Sequence, residues 1–489
     1  MPEVMAEGLD KSFPPKIGTS VAQSVDFGLA GASLTENADQ VEPPEIKKSR
    51  WYLLSSSFPH AIGVAGIKFI FNGDEMKIRR CVWGILLLIC LSAMVYQTGN
   101  QCVRYAMKPV NTLLDVEYVD LLDFPSVVLC NYNAYRKSYI EDNEAEFAAL
   151  LKHLANRTSR RHQDIDATFY DGNLKYTNLT ELRLNAAHQL DTIVYATFGN
   201  EKLTVDNFSL ALFEFGVCFT FNLDSTHRLQ VRSPGATHGL VVILDVEQWN
   251  YYHQDSHPSR ISAGFQLQAF DSKTSTPQVN DYGIAVGPGT KTRVGVTVHE
   301  THNIPPPHGK CGTKKLKYHD GYKVSLCQLE CKTDFLVAAC KCRAPYMAGP
   351  DRECNPLEIV CMNNAMEDFN SKATAACPCP RPCDVVTYAT TVSQAKFPSD
   401  FYSKFLAETL TERRNRSLNA AYFSNSMCLI NIFFNELSRQ TNTQQEAYGF
   451  YSLLCDIGGS LGMWIGGSIL TLCEVLDIIG YSIHKGRSS

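Results

Sequence analysis

Residues 448–483 read YGFYSLLCDIGGSLGMWIGGSILTLCEVLDIIGYSI, a hydrophobic segment that is interrupted by glycines. An interior glycine costs a helix roughly 0.5–1 kcal/mol relative to alanine, so a simple membrane anchor would be rich in leucine and valine instead. Dense glycines allow close helix packing and expose backbone carbonyl oxygens. The segment also carries Glu474 and Asp477, acidic side chains that should not face lipid. These features predict a pore-lining transmembrane helix.

A second apolar segment, residues 81–98, begins CVWGILLLICLSAMVYQ and is long enough to cross a bilayer. Basic residues lie just before it and just after residue 483, so the positive-inside rule places both termini in the cytoplasm. Residues 1–80 are therefore predicted to be a cytoplasmic N-terminus, disordered to about residue 50, with a re-entrant segment after it. Residues 484–489 are predicted to form a cytoplasmic C-terminus.

Residues 99–447 are expected to be extracellular. Fourteen of the 18 cysteines lie between the two spans, and an even number there is typical of disulfides formed in an oxidising compartment. The same region contains the four N-glycosylation sequons of the chain, at Asn156, Asn178, Asn207 and Asn415. We therefore predict a glycosylated, multi-pass protein of the cell membrane.

Residues 311–383 contain ten cysteines. A zinc module is one interpretation, but Cys-x-Cys pairs without Cys-x2-Cys knuckles favour disulfides, and we predict no metal site. Alternating or apolar runs predict strands at 217–221, 239–245, 292–298 and 428–437, and residues 400–413 have the pattern of a helix.

Six segments carry a specific resemblance: FPSVVLCN (124–131), GVCFTFN (216–222), PPPHGKC (305–311), CQLECKTDFLVAACKCRAPYM (327–347), CPCPRPC (377–383) and LLCDIGGSLGMWIGGSILTLCEVLD (453–477). In this order they resemble the degenerin/epithelial sodium channel superfamily, and within it the acid-sensing ion channels most closely. The resemblance extends from about residue 50 to residue 480.

The resemblance implies an α+β membrane protein that assembles as a trimeric channel of hand-shaped subunits. Each would have a β-sheet palm, a disulfide-rich helical thumb, a finger, a knuckle and a β-ball. It also implies six disulfides: Cys130–Cys218, Cys311–Cys383, Cys327–Cys379, Cys331–Cys377, Cys340–Cys361 and Cys342–Cys354. We further predict that the two remaining extracellular cysteines, Cys102 and Cys428, pair with each other across the lower palm.

Gly466, Gly467 and Ser468 occupy the position of the family's selectivity filter, which is usually Gly-Ala-Ser or Gly-Ser-Ser. Small residues allow three helices to approach, and backbone carbonyls can replace part of the hydration shell of Na⁺. Below the filter, Glu474 and Asp477 are three residues apart on one helical face, so three subunits would form acidic rings. The alternatives are helix packing without ion contact for the glycines, and interfacial charges for the acids.

The resemblance also implies a gate region above the filter. Asp456 resembles the family's gate-region aspartate, and Gly458 and Gly459 follow it. Ser452 matches a position where a large residue is expected to obstruct closure. These four residues lie within the outer half of the second span.

Two further motifs depart from the family pattern. His60-Ala61 matches a cytoplasmic His-Gly dipeptide that contributes to the lower pore, with alanine in place of glycine. His308 replaces the usual tryptophan that faces Tyr105 at the wrist, so weaker coupling from thumb to gate is expected.

The expected proton sensor is mostly missing. In acid-sensing channels, crowded carboxylates have raised pKa values and titrate in mild acid. At these carboxylate positions the chain keeps Glu367 but has neutral residues elsewhere: Trp249, Asn250, Asn363, Asn431, Asn435 and Gln440. Met107 stands at the family's histidine position after the first span. Other titratable groups could substitute, namely Asp245, Glu247 and Asp255 with His253 and His257 nearby.

The sequence thus predicts a trimeric, Na⁺-selective, amiloride-sensitive cation channel that protons or a short peptide open from outside. The alternatives are a constitutively open or mechanically gated sodium channel, and, from another class, a two-pass cysteine-rich receptor or adhesion protein without conduction. A formal charge of −5 gives no reason to expect a nucleic-acid partner. We expect no enzymatic activity and no cofactor, because P-loop, GxSxG and HExxH patterns are missing from the sequence.

Overall fold

The computed structural model describes residues 66–71, 76–143, 178–252, 262–373, 377–414 and 419–468, and then residues 470, 471, 473, 474, 476, 477 and 480. Several predicted features lie outside the described residues: the His60-Ala61 dipeptide, the sequons at Asn156 and Asn415, and the titratable groups His253, Asp255 and His257.

The described helices are α1 (Ile67–Phe71), α2 (Lys77–Ala106), α3 (Lys137–Asp142), α4 (Leu179–Ala186), α5 (Val279–Tyr282), α6 (Val324–Cys340), α7 (Ile359–Asp368), α8 (Asp400–Arg414), α9 (Ala420–Ser426) and α10 (Phe450–Ile465). The strands are β1 (Val110–Tyr118), β2 (Leu122–Asp123), β3 (Ser126–Asn131), β4 (Ile193–Phe198), β5 (Glu201–Lys202), β6 (Phe208–Leu212), β7 (Val217–Phe221), β8 (Gln230–Val231), β9 (Leu240–Asp245), β10 (Phe265–Phe270), β11 (Ile284–Val286), β12 (Thr290–His302), β13 (Asp384–Lys396) and β14 (Met427–Glu446).

Helix α2 contains the first predicted span and is longer than 81–98 at both ends. Its 30 residues correspond to about 45 Å of helix, enough to cross the hydrocarbon core and continue beyond it. Within the described part of the chain, α2 is the one helix long and apolar enough to span a membrane. No side chain of α2 is buried within the single chain, as expected of a helix whose surroundings are lipid or another subunit.

The largest sheet has seven strands and joins both spans to the body of the protein. Its order is β13-β12-β14-β9-β4-β5, and β1 pairs with the second half of β14. Because β1 follows α2 and β14 precedes α10, both membrane segments are connected to the same pair of antiparallel strands, β1 and β14. That pair ends at Val110 and Glu446, and Ala447 then donates a backbone hydrogen bond to Pro109.

A five-stranded sheet, in the order β11-β10-β3-β7-β6, shares the main apolar core with the larger sheet. All six residues of β3 are buried. Phe124, just before β3, makes edge contacts with the rings of Phe198, Phe221 and Phe434, at centroid distances of 5.0, 6.4 and 5.9 Å. Burying one such ring contributes roughly 1.5–3 kcal/mol, so this core holds the two sheets together.

The cysteine-rich region is helical and cross-linked. Helices α6 and α7 pack around a second apolar cluster that includes Leu336 and Met362. The structure contains six disulfides, and they are the six pairs that the resemblance implies: Cys130–Cys218, Cys311–Cys383, Cys327–Cys379, Cys331–Cys377, Cys340–Cys361 and Cys342–Cys354.

The predicted seventh disulfide, Cys102–Cys428, is wrong. Both cysteines are free; Cys102 is exposed on α2, and Cys428 is buried at the beginning of β14, where it pairs with Leu244. From Cys428 the strand runs 18 residues to Glu446 near the membrane, which is about 60 Å at the usual rise of an extended chain. The long strand β14 therefore separates the two sulfurs.

The sequence predicted one continuous helix over 448–483, and this prediction is wrong. Helix α10 ends at Ile465, and Gly466 adopts a left-handed conformation with φ of 65°. The N–H of Gly466 donates to the carbonyl of Gly462, which is a common way to close a helix at glycine. Helical residues resume at Leu470. The glycines thus interrupt the helix as well as allowing close packing.

Candidate functional site

The two membrane segments are joined by polar side chains. The indole Nε1 of Trp464 donates to Oε1 of Gln97 at 2.7 Å. Closer to the sheet, the side-chain amide of Gln101 donates to Oγ of Ser460 at 3.2 Å, and this hydroxyl donates to the carbonyl of Asp456 at 2.7 Å. The two bonds between the helices lie about one turn apart and fix α10 against α2.

The predicted filter residues lie at the break that follows α10. Gly466 is left-handed, and Gly467 and Ser468 are outside helical structure. The N–H of Ser468 donates to Oγ1 of Thr471 at 3.1 Å, and the N–H of Thr471 donates back to Oγ of Ser468 at 3.4 Å. Ser468 therefore helps to begin the next helical stretch. Residues in such a break have backbone carbonyls that a helix does not use, which is the chemistry required to replace water around a cation.

The predicted pore acids follow this break. Glu474 and Asp477 are both exposed in the single chain and helical, three residues apart. Their spacing puts them on one side of the segment, as the sequence predicted. A cation that passed the break would meet these carboxylates next.

The four predicted gate residues all lie on α10, and each is exposed within the single chain. Ser452 and Asp456 are four residues apart and share a face. The hydroxyl of Tyr448 donates to Oδ2 of Asp456 at 2.6 Å, and the guanidinium of Arg104 lies 5.0 Å from the Tyr448 ring. Asp456 is thus held by the residues at the junction of span and sheet. A Cβ at Gly458 or Gly459 would meet open space.

At the wrist, where loop 303–311 meets the end of β14, the structure gives His308 an acidic partner. Its Nδ1 lies 3.2 Å from Oε1 of Glu446. Tyr105 was the residue predicted to face His308. Glu446 was not predicted as a partner of His308. No local pattern could have revealed this contact, because the two residues lie on segments far apart in the chain.

The neutral residues at the expected acid positions have structural roles. Asn250 is buried, and its Oδ1 accepts the N–H of Ser138 at the beginning of α3, at 3.0 Å. Asn431 is buried and donates to the carbonyl of Ala236 at 3.1 Å. Asn435 donates to Oγ1 of Thr391 at 3.2 Å. These amides hold strands and a helix in place and cannot titrate.

The other positions of the expected proton sensor are more open. Trp249 and Met107 are exposed, and Gln440, Asn363 and Glu367 lie at or near the surface of β14 and α7. Glu367, the one acid kept among these positions, is exposed in the single chain. The structure thus brings no crowded group of carboxylates together at these residues within the described chain.

The two described carboxylates proposed as substitutes are both buried. Asp245 accepts hydrogen bonds from the hydroxyl of Tyr422 at 2.7 Å and from the N–H of Glu247 at 2.9 Å. Glu247 lies in a left-handed backbone conformation, and its Oε2 is 2.9 Å from Nδ1 of His188. His188 was not predicted from the sequence, and its other ring nitrogen lies 3.2 Å from Oδ1 of Asn133.

This buried group continues through Tyr251. Its hydroxyl donates to Oδ1 of Asn131 at 2.7 Å, and its ring packs edge-on against His188. Burial raises the pKa of Tyr251, so the phenol stays protonated. Burial likewise raises the pKa of the Cys428 thiol, and the nearby Asp245 adds to this rise.

Two of the predicted glycosylation sites are described, and both asparagines are exposed. Asn178 precedes α4, and its Oδ1 accepts the N–H groups of Thr180 and Glu181 at 3.0 and 3.3 Å. Oδ1 of Asn207 accepts the N–H of Thr204 at 2.8 Å. In both cases the side-chain carbonyl oxygen accepts these hydrogen bonds. The side-chain amide nitrogen, to which a glycan would be attached, takes no part in them.

Comparison with known proteins agrees with these features. The sequence model described as amiloride-sensitive sodium channel matches residues 58–478. Acid-sensing ion channel 4-B of Danio rerio is 29% identical over 441 residues, which cover 88% of this chain and 76% of the relative. Acid-sensing ion channel 4 of Mus musculus is 30% identical over 423 residues, which cover 84% of this chain and 76% of the relative. Acid-sensing ion channel 1 of Gallus gallus is 30% identical over 472 residues, which cover 92% of this chain and 86% of the relative.

Among solved structures, a proton-activated chloride channel covers 81% of this chain and 96% of its own, with 8% identity and a TM-score of 0.30, which is too low to support an argument. The sequence match extends through both membrane segments, the six disulfides and the break after α10. From these matches, the chain belongs to the amiloride-sensitive sodium channel family, a family of membrane ion channels.

Proposed function

We propose that this chain is a subunit of a trimeric, Na⁺-selective and amiloride-sensitive channel of the cell membrane. The observation that carries the proposal is the helix break at Gly466–Ser468, at the predicted filter, in a chain whose family match extends through it. The carbonyls of the break would contact the ion, and rings of Glu474 and Asp477 would concentrate cations beneath it.

The proposed trimer is supported by surfaces that the single chain leaves uncovered. Tyr451, Leu454 and Met463 of α10 have exposed fractions of 82%, 48% and 65%. On β1, Leu114 and Tyr118 have exposed fractions of 66% and 74%. Large apolar areas of this kind mark contacts with other chains or with lipid. Two further copies, or related subunits, would cover them.

In this proposal, the seven-stranded sheet is the palm, and the disulfide-linked helices α6 and α7 are the thumb. Residues 99–447 face the outside and carry glycans at Asn178 and Asn207, with further sites at Asn156 and Asn415. Both termini are cytoplasmic, and the His60-Ala61 dipeptide contributes to the lower pore.

The proposed stimulus acts on the extracellular domain. Protons are one candidate, because the relatives are named acid-sensing ion channels. A short peptide is the second, and a cleft of about 640 Å³ beside α6 supports it. Phe213 and Phe215 line this cleft beside Lys332, which is paired with Glu214, so the apolar and aromatic side chains of a peptide would find partners there.

The test is electrophysiology of cells that express the chain. We expect an inward Na⁺ current that amiloride blocks, evoked by a step within a pH series from 8 to 4 or by a peptide. Replacing Ser452 with a bulky residue should open the channel without a stimulus. Surface-expressed protein that stays silent under all three conditions would contradict conduction. A current that is present before any stimulus, and that neither acid nor peptide changes, would favour a constitutively open channel.

A further inference from the structure

A groove follows the line where the two membrane helices α2 and α10 meet. Its volume is about 420 Å³. All but one of its lining residues come from α2, where they recur at intervals of three and four and therefore share one face of the helix. The remaining one belongs to α10. The lining residues are Ala93, Tyr96, Gln97, Asn100, Gln101, Arg104 and Trp464.

The groove reaches from the apolar part of a bilayer to its headgroups. If the hydrocarbon core begins at Cys81, directly after a basic pair, its thickness of about 30 Å corresponds to about 20 helical residues and ends near Gln101. Arg104 then lies about 5 Å beyond the core, at the depth of the lipid phosphates, on the side of the seven-stranded sheet. Tyr96 and Trp464 lie just inside the boundary, where aromatic side chains are enriched in membrane proteins.

Two hydrogen-bond donors line the groove at its headgroup end. Arg104 and Asn100 are four residues apart on α2, and both are exposed in the single chain. The Arg104 guanidinium lies 5.0 Å from the centroid of the Tyr448 ring, and no carboxylate of the described residues pairs with it. Gln97 and Gln101, in contrast, are bonded to side chains of α10. A phosphate would supply the negative charge and the acceptor oxygens that suit Arg104 and Asn100.

The size of the groove fits a single chain better than a neighbouring helix. The stripe from Ala93 to Arg104 rises about 16 Å, and a helix 10–12 Å across would occupy about 1,300 Å³ over that length. This volume is roughly three times that of the groove. An acyl chain is thinner and needs no hydrogen-bond partner. No carboxylate lines the groove, so an anionic headgroup meets no like charge there.

We propose that this groove binds one phospholipid from the leaflet on the side of the sheet. Its phosphate contacts Arg104 and Asn100, and one acyl chain lies over Trp464 and reaches down to Ala93. The inference goes beyond the proposed function, because it requires a bilayer and no ion conduction. The bound chain would contact α10 two residues before the break at Gly466.

Fluorescence of Trp464 tests the site, since bromine atoms quench indole on contact. The probe is phosphatidylcholine brominated midway along one acyl chain, added in rising proportion to the purified full chain in detergent. The chain has four tryptophans, so phenylalanine replaces the other three, at positions 51, 83 and 249. A second protein that keeps Trp83 alone reports lipid that merely surrounds the helices. We expect half-maximal quenching of Trp464 at a lower lipid proportion than that of Trp83, and equal proportions would overturn a specific site.

Two variants and one further probe separate the phosphate contact from the acyl contact. Arg104→Gln should raise the half-saturating lipid proportion about fivefold, the effect of one exposed charged contact. Lys108→Gln is the matched control, because Lys108 lies four residues further on and does not line the groove, and it should leave the proportion unchanged. Ala93→Phe should weaken quenching by filling the apolar end. Brominated diacylglycerol, which lacks the phosphate, should quench Trp464 only weakly.

Equal shifts in Arg104→Gln and Lys108→Gln, or equal quenching by diacylglycerol, would overturn the recognition of phosphate. A Trp464 that no brominated lipid quenches, beside a quenched Trp83, would show that protein covers the groove and would overturn the proposal. If the tryptophan replacements prevent folding, native mass spectrometry of wild type and Arg104→Gln decides, since the wild type should retain more phospholipid. None of these measurements uses current, so failure of the proposed function would be seen separately, in recordings without conduction.

Discussion

The indole of Trp464 donates a hydrogen bond of 2.7 Å to the side-chain carbonyl of Gln97, two residues before the helix break at Gly466. Apolar side chains give little drive for helices to associate within lipid, so packing and hydrogen bonds between helices set their arrangement. This bond therefore fixes the end of α10 that lies next to the predicted filter against α2.

Replacing Gln97 with leucine should weaken this arrangement. We expect a loss of about 1 kcal/mol, the usual size of a hydrogen bond between membrane helices, and a lower melting temperature for the detergent-purified protein. Leu88→Met is a matched control, since Leu88 lies on the same helix with an exposed fraction of 66%. Identical melting temperatures for Gln97→Leu and the control would show that the hydrogen bond between Trp464 and Gln97 does not stabilise the protein.

The two glycines of the predicted filter should respond differently to alanine. Gly466 has φ of 65°, and a side chain in this conformation costs roughly 1–2 kcal/mol. At Gly467, a Cβ would lie 3.5 Å from the Ile465 side chain, an ordinary contact. We expect Gly467→Ala to reach the surface normally and to shift the Na⁺/K⁺ reversal potential, whereas Gly466→Ala should reduce surface protein or current. An unchanged reversal potential in Gly467→Ala would remove this residue from the filter.

The buried His188–Glu247 pair should matter for folding. The side chains have exposed fractions of 2% and 9%, so His188→Ala would leave a carboxylate buried without its imidazole partner. Leaving a buried polar group without its hydrogen-bond partner typically costs about 1–3 kcal/mol. We expect a strong fall in surface-expressed, fully glycosylated protein, measured by surface biotinylation. Glu247→Gln keeps the size of the side chain and a hydrogen-bonding oxygen, and its yield should lie closer to wild type. Similar yields for wild type and His188→Ala would contradict this role.

The two free cysteines at positions 102 and 428 should differ in reactivity. Cys102 is exposed, whereas Cys428 is fully buried and its thiol pKa is raised by burial, which keeps the thiolate scarce. A membrane-impermeant maleimide should modify Cys102 on non-reduced cells and leave Cys428 unmodified until the protein is denatured. Mass spectrometry of the labelled peptides measures both. Labelling of Cys102 that requires prior reduction would instead support a disulfide at this position.

Local sequence patterns predicted much of the fold. The strand at 217–221 is confirmed at both ends, and the helix predicted at 400–413 extends by one residue. Residues 428–437 are extended as predicted, but β14 continues to Glu446 because β1 pairs with it from Ser438 to Glu446 and β12 pairs with it from Arg439 to Thr443. A strand's length depends on such neighbours, and the neighbours come from distant parts of the chain.

The sequence by itself determined the two apolar segments, the cysteine-rich region and the glycines that end α10, because each depends on composition or on neighbouring residues. Tertiary structure alone decided which distant side chains meet. His188 contacts Glu247 across 59 residues, His308 contacts Glu446, and Cys102 is separated from Cys428 by the length of β14. Strand pairing and sheet packing set these distances, and a one-dimensional pattern of residues does not contain them.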